Sequence, residues 1–172
     1  MVAYKGRPPR AGLKPGVGMI PSSELYQLTK WIWTDRDFEQ MGWHDVIVQA
    51  ITSNNEGDEF VLDIDYIFAW VEPEPNFAFW ISPATLVFKD VWNLRLRWEN
   101  DVGVKAEGLF QIEEILRSNR SAWTLRLFQG EVSLDAAGFV QYTRQAPRKV
   151  SRQHLSLQER GGISFDRPPG AQ

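Results

Sequence analysis

The sequence predicts a mainly β protein: an antiparallel β-sandwich or curled sheet of about seven strands with one short helix. Three observations predict it. From Trp43 onward, apolar residues recur with a period of two, the signature of strands with one buried face. Polar or proline-containing clusters (SNNEGDE, EPEPN, SNRS) punctuate these runs at strand-length intervals. No segment between runs reads as a crossover helix, so the connections are hairpins and the strands antiparallel.

The 172 residues fit one domain with a flexible end on each side. Residues 1–18 hold Pro and Gly at close intervals and four basic residues with no acid, and are expected to be a flexible basic arm. Residues 19–143 form the single β-rich domain. Residues 144–172 turn polar and basic and are expected to be a disordered tail.

Residues 19–33 have no clean period; Leu25, Leu28 and Trp31 sit at helical spacing, yet the ending KWIW equally suits a strand. TDRDFEQMG then reads as the short helix. Thr34 is an N-cap, Asp35 and Asp37 lie where the helix dipole favours acids, and Gly42 closes the turn in a left-handed conformation. The next strand alternates Val46, Val48 and Ala50 against Ile47, Gln49 and Ile51. SNNEGDE is a hairpin loop with Asn55 and Gly57 available for positive φ.

In EFVLDIDYIFAWV, Phe60, Leu62, Ile64, Tyr66, Phe68 and Trp70 face one way, and Val61, Asp63, Asp65, Ile67, Ala69 and Val71 the other. Phe77, Phe79 and Ile81 continue the pattern, and Pro83 marks an edge or bulge. DVWNLRLRWEN is the cleanest alternation; Trp92, Leu94, Leu96 and Trp98 are expected inward, Asn93, Arg95 and Arg97 outward. LFQIEEIL favours a strand over a short helix, and AWTLRLF and EVSLDAAGFVQY give two more strands.

Composition narrows function. No cysteine is present, so disulfides and thiolate metal sites are excluded. No apolar run reaches the roughly 20 residues of a membrane helix, and the basic N-terminus lacks the apolar stretch of a secretory signal. The chain is therefore expected to be cytoplasmic, without membrane partners. Residues 19–143 carry nine basic and twenty acidic residues, near −11 net, between two basic ends. An acidic body favours a basic protein partner or a cation and disfavours nucleic acid. Most of the eight tryptophans are expected in the core; eight is more than a core of this size needs, so an exposed remainder is the alternative, as anchors for a partner.

WHD, LDIDYIFAWV, FWISPATLVFKDVWNLRL and GFVQYTR together resemble a group of uncharacterised bacterial proteins. The succession of His-Asp, an apolar strand and an acidic–aromatic strand is also similar to small immunity-type proteins of bacterial toxin systems. The resemblance spans roughly residues 34–144. It implies a β-rich cytoplasmic protein that works by binding another protein. No cofactor is expected.

The candidate ligand- or partner-binding residues are His44, Asp45, Asp63, Asp65 and Trp70. Asp63 and Asp65 lie two apart on one strand face, about 6–7 Å apart. With His44 or Asp45 on the neighbouring strand they make a carboxylate–imidazole set for a divalent metal, a small ligand or acid–base chemistry. The competing expectation is structural: the two aspartates pair with Arg95 and Arg97, each pair stabilising by about 0.2–1 kcal/mol. Ser, His and Asp are all present, but none sits in a nucleophile motif, which disfavours acyl transfer.

Overall fold

The computed structural model describes residues 25–54, 56–71, 77–98 and 110–168; the expected arm at 1–18, Asn55 and the EPEPN break lie outside them. As the alternation predicts, the chain is mainly β and antiparallel. Its strands are β1 (Ile32–Thr34), β2 (Val46–Asn54), β3 (Glu59–Val71), β4 (Ala78–Lys89), β5 (Trp92–Trp98), β6 (Gln111–Arg117), β7 (Ala122–Leu127), β8 (Gly130–Asp135), β9 (Gly138–Thr143) and β10 (Arg148–Val150). A 3₁₀ turn spans Asp35–Gln40, and a single helical turn, α1, spans Leu157–Arg160. Among the described residues, no helix is long and apolar enough to cross a membrane.

The strands form one sheet in the order β1-β9-β4-β3-β2-β6-β7-β8-β5, with β10 on the same edge of β4 as β9. The sheet curls. Trp123 on β7 packs edge-on against Phe88 on β4 and Phe139 on β9, with ring centroids 5.6 and 5.7 Å apart. In a flat sheet, β7 and β4 would stand about 19 Å apart. Rolling up brings both onto one apolar interior, which also takes Val46, Leu62, Ile64, Leu86, Ile112 and Leu125. The corner is a pair of near-continuous ribbons: β4 runs into β5 through Asp90–Val91, and β8 into β9 through Ala136–Ala137, where the Ala137 N–H donates to the Lys89 carbonyl at 2.9 Å.

The short helix begins where predicted. Thr34 caps the 3₁₀ turn, and the Asp37 carboxylate accepts from the Thr34 N–H at 2.9 Å. Its end differs from expectation. The C-cap, Met41, is extended, Gly42 has no positive φ, and the left-handed residue is Asp45 at φ 64°. The Gly42 N–H donates to the Tyr66 hydroxyl at 3.2 Å, which fixes Gly42 without a left-handed turn. Similarly, Asp58 rather than Gly57 takes the positive φ of the β2–β3 hairpin.

Two bulges alter the predicted faces. One between Val48 and Ala50 turns Ile51 toward the interior, where it packs against the core. The other, between Ile67 and Ala69, carries Trp70 to the outer face, opposite Phe79. Pro83 lies inside β4 at the junction between β9 and β10. Its carbonyl accepts from the Arg144 N–H at 3.0 Å, so its missing donor faces the point where the chain leaves β9 and no ladder bond is lost.

β5 departs from its pattern more strongly. All seven of its residues are exposed, including Trp92, Leu94, Leu96 and Trp98, because β5 is the last strand of the sheet among the described residues; Phe110 meets Trp98 edge-on at 5.7 Å and still leaves it 41% exposed. The alternation identified the strand but not what lies against it.

The tail expected at 144–172 is, over residues 144–168, part of the fold. It adds β10 to β4, then crosses the outer face of β3 and β4, where Leu155 packs with Ile67, Phe79 and Ile81. The outer face of β3 is consequently as buried as the inner one; Val61, Asp63, Asp65 and Ile67 are all inaccessible.

Candidate functional site

The outer face of β3 places Asp63 and Asp65 under the C-terminal segment, both at 0% exposure. Burying two carboxylates two residues apart is costly unless cations and donors satisfy them. Arg160, at the end of α1, supplies most of this. Its Nη1 and Nη2 donate to Asp63 at 2.7 and 2.5 Å, and its Nε to Asp65 at 3.1 Å. Burial works against the Arg160 charge, and the two carboxylates more than offset it, so its pKa lies above the ordinary value.

Asp63 also accepts from Arg144 Nη2 at 2.5 Å and from the Ser164 N–H at 3.0 Å, reaching four bonds, its full complement. Asp65 accepts from Gln49 at 2.7 Å and the Leu155 N–H at 3.1 Å. The aspartates are thus salt-bridged, as one expectation had it, but to Arg144 and Arg160. Arg95 and Arg97 lie on exposed β5 and pair with β8. With four bonds on Asp63 and three on Asp65, the two carboxylates are engaged within the chain itself. Among the described residues, no group of three or more His, Cys, Asp or Glu could hold a metal ion. Arg144 and Arg160 went unrecognised because basic, Gly/Pro-rich sequence carries no periodic signal; two buried acids without a nearby base were the available cue.

The other three candidates do meet. His44 stacks on Trp70 at 6.2 Å, with planes 15° apart. Its Nδ1 lies 3.0 Å from the Glu113 carbonyl, and its Nε2 3.5 Å from the Asp45 carboxylate. Asp45 in turn accepts from Gln111 at 2.8 Å and from Gln153 at 3.0 Å. Gln153 comes from the C-terminal segment and, with Phe77, Phe79, Ser151 and Arg152, lines an open cleft beside this patch. His44 and Trp70 are partly exposed, and both ring nitrogens of His44 already have partners within the chain. The arrangement ties the start of β2 to β6 and to the C-terminal segment.

β5 carries four exposed large apolar side chains on one strand. Trp92, Leu94, Leu96 and Trp98 range from 39% to 48% exposed. Leu96 lies opposite Val132 and Trp98 opposite Gly130, on the inner face, while Trp92 lies opposite Asp135, on the outer face. Between them, Asn93 has φ 53° and donates to Asp135 at 2.8 Å, anchoring a bulge. Gly130 is required beneath Trp98, because a Cβ there would stand 2.4 Å from the Arg97 carbonyl oxygen and 2.7 Å from the Trp98 ring. The sequence had marked these four residues as core, and their availability follows only from the position of β5 at the end of the sheet. No family model, curated protein or solved structure matches the chain.

Proposed function

We propose that the chain is a non-enzymatic cytoplasmic binding protein, of the immunity type, that acts by engaging another protein. One observation carries this reading: a sheet edge, β5, presents four large apolar side chains to solvent and has a strand neighbour on one side only among the described residues. Such an edge is an aggregation hazard unless something covers it, and exposed apolar patches of this kind mark interaction sites. A catalytic reading has no comparable support, since Asp63 and Asp65 are consumed by Arg144 and Arg160.

Charge gives the partner its long-range character. The C-terminal segment brings six basic and two acidic residues back onto a body that otherwise carries nine and twenty, so the net charge falls from about −11 to about −7. The sign still favours a basic partner, and its association rate falls as salt rises.

The test is capture from a native lysate by the tagged full chain, by Leu96→Asp and by His44→Ala. The expected result is a discrete partner that Leu96→Asp loses and His44→Ala retains. Recovery of the same proteins by all three baits, or of chaperones alone, sinks the reading.

A further inference from the structure

We propose that the partner docks by adding a strand to the edge of β5 that has no strand neighbour among the described residues, and that this strand alternates apolar and acidic residues. The inference rests on the binding reading above and names the chemistry of the docking segment. It comes from a row of charges on the outer face of the sheet. Glu114 on β6 lies opposite Arg126 on β7, Arg126 opposite Glu131 on β8, and Glu131 opposite Arg97 on β5. Arg126 and Glu114 form an ion pair at 2.5 Å. Acid and base alternate strand by strand, and among the described residues the row stops on a cation because β5 is the last strand. Arg95, two residues earlier on the same face, lies opposite Ser133. Among the described residues, neither Arg95 nor Arg97 has an ion pair.

A further strand at the usual spacing of about 4.8 Å would pair with the outer N–H and C=O groups of β5. Acids opposite Arg95 and Arg97 would continue the alternation, since opposite charges directly across a ladder stabilise it. Apolar residues between them would face inward and cover Leu96 and Trp98. A second copy of this chain fits less well. The β5 residues on the outer face are Trp92, Arg95 and Arg97, so self-pairing offers Arg97 no acid and sets cation against cation. Overall charge and docking chemistry act at different ranges: the net charge steers the approach, and the two arginines select the residues that face them.

The probe is a fluorescein-labelled synthetic peptide of alternating valine and glutamate, compared with its valine–lysine counterpart by anisotropy on the full chain. The valine–glutamate peptide is expected to bind at least about threefold tighter. Arg97→Gln, which introduces no like charge beside Glu131, should erase most of that preference, and Arg97→Glu should reverse it. Leu96→Lys should weaken both peptides while leaving the far-ultraviolet circular dichroism unchanged. Equal binding of the two peptides, binding by neither, or a preference indifferent to both Arg97 variants overturns the inference. So does a dimer in light scattering that Leu96→Lys abolishes, because a second copy would then occupy the edge. These failures are separable from failure of the binding reading: a captured partner lost with Leu96→Asp but indifferent to Arg97→Glu would mean contact at β5 without strand addition.

Discussion

Arg160 joins two neighbouring aspartates that the sequence marks as anomalous, and it does so from a segment with no strand or helix periodicity. Its planar fork reaches both carboxylates at once, a geometry lysine cannot reproduce. Truncating one partner of a buried pair leaves an uncompensated charge and typically costs about 3–5 kcal/mol. Arg160→Ala is therefore expected to destabilise the chain by about that much, with Arg160→Lys recovering only part, as read from urea denaturation. Tyr66 makes a second residue-scale case. Burial in the interior raises its phenol from the ordinary 10.0 to about 12. The sign follows: stability linked to the neutral phenol is full below pH 10 and is lost as pH rises from about 10 toward 12. Absorbance titration should show Tyr66 ionising in that upper range, and Tyr66→Phe should remove its step.

At the scale of elements, the C-terminal segment and β5 exchange the roles their sequences predict. The segment is polar but buried at its anchors, whereas β5 alternates cleanly yet is exposed. In α1, Ser156 caps the turn and Glu159 reaches back to the Ser156 N–H at 2.8 Å. The Ser156 backbone and hydroxyl, with Arg152, lower the Glu159 carboxyl from 4.5 to about 2. A lowered pKa places the stabilisation above pH 4.5 and removes it as pH falls toward 2. Amide exchange in α1 should accelerate over that range in the wild type, and Glu159→Gln should flatten the dependence. For β5, Leu96→Lys is expected to change stability by no more than about 0.5 kcal/mol, the usual limit for a surface substitution. A loss of several kcal/mol in thermal melts would instead mean that Leu96 is core, as its pattern suggested.

For the whole molecule, the curled sheet has two buried faces: the aromatic interior, and the β3–β4 outer face beneath residues 144–168. A chain ending at Thr143 would expose Val61, Ile67 and Ile81 and leave Asp63 and Asp65 without Arg144 and Arg160. It is expected to lose cooperative urea unfolding and its near-ultraviolet tryptophan signal; a sharp transition with native near-ultraviolet dichroism would show that the sheet stands alone. The sequence by itself determined the strands of the central region, their antiparallel pairing, the start of the short helix at Thr34, and the existence of a polar pair on β3, because side-chain periodicity and capping chemistry are local. Only the tertiary structure decided the rest. Which strand ends the sheet, where a bulge turns Trp70 to the other face, and that a basic tail returns to neutralise Asp63 and Asp65 depend on contacts between residues up to about a hundred positions apart. A strand's alternation states that it has two faces; how much of either is covered is fixed by what the rest of the chain lays against it.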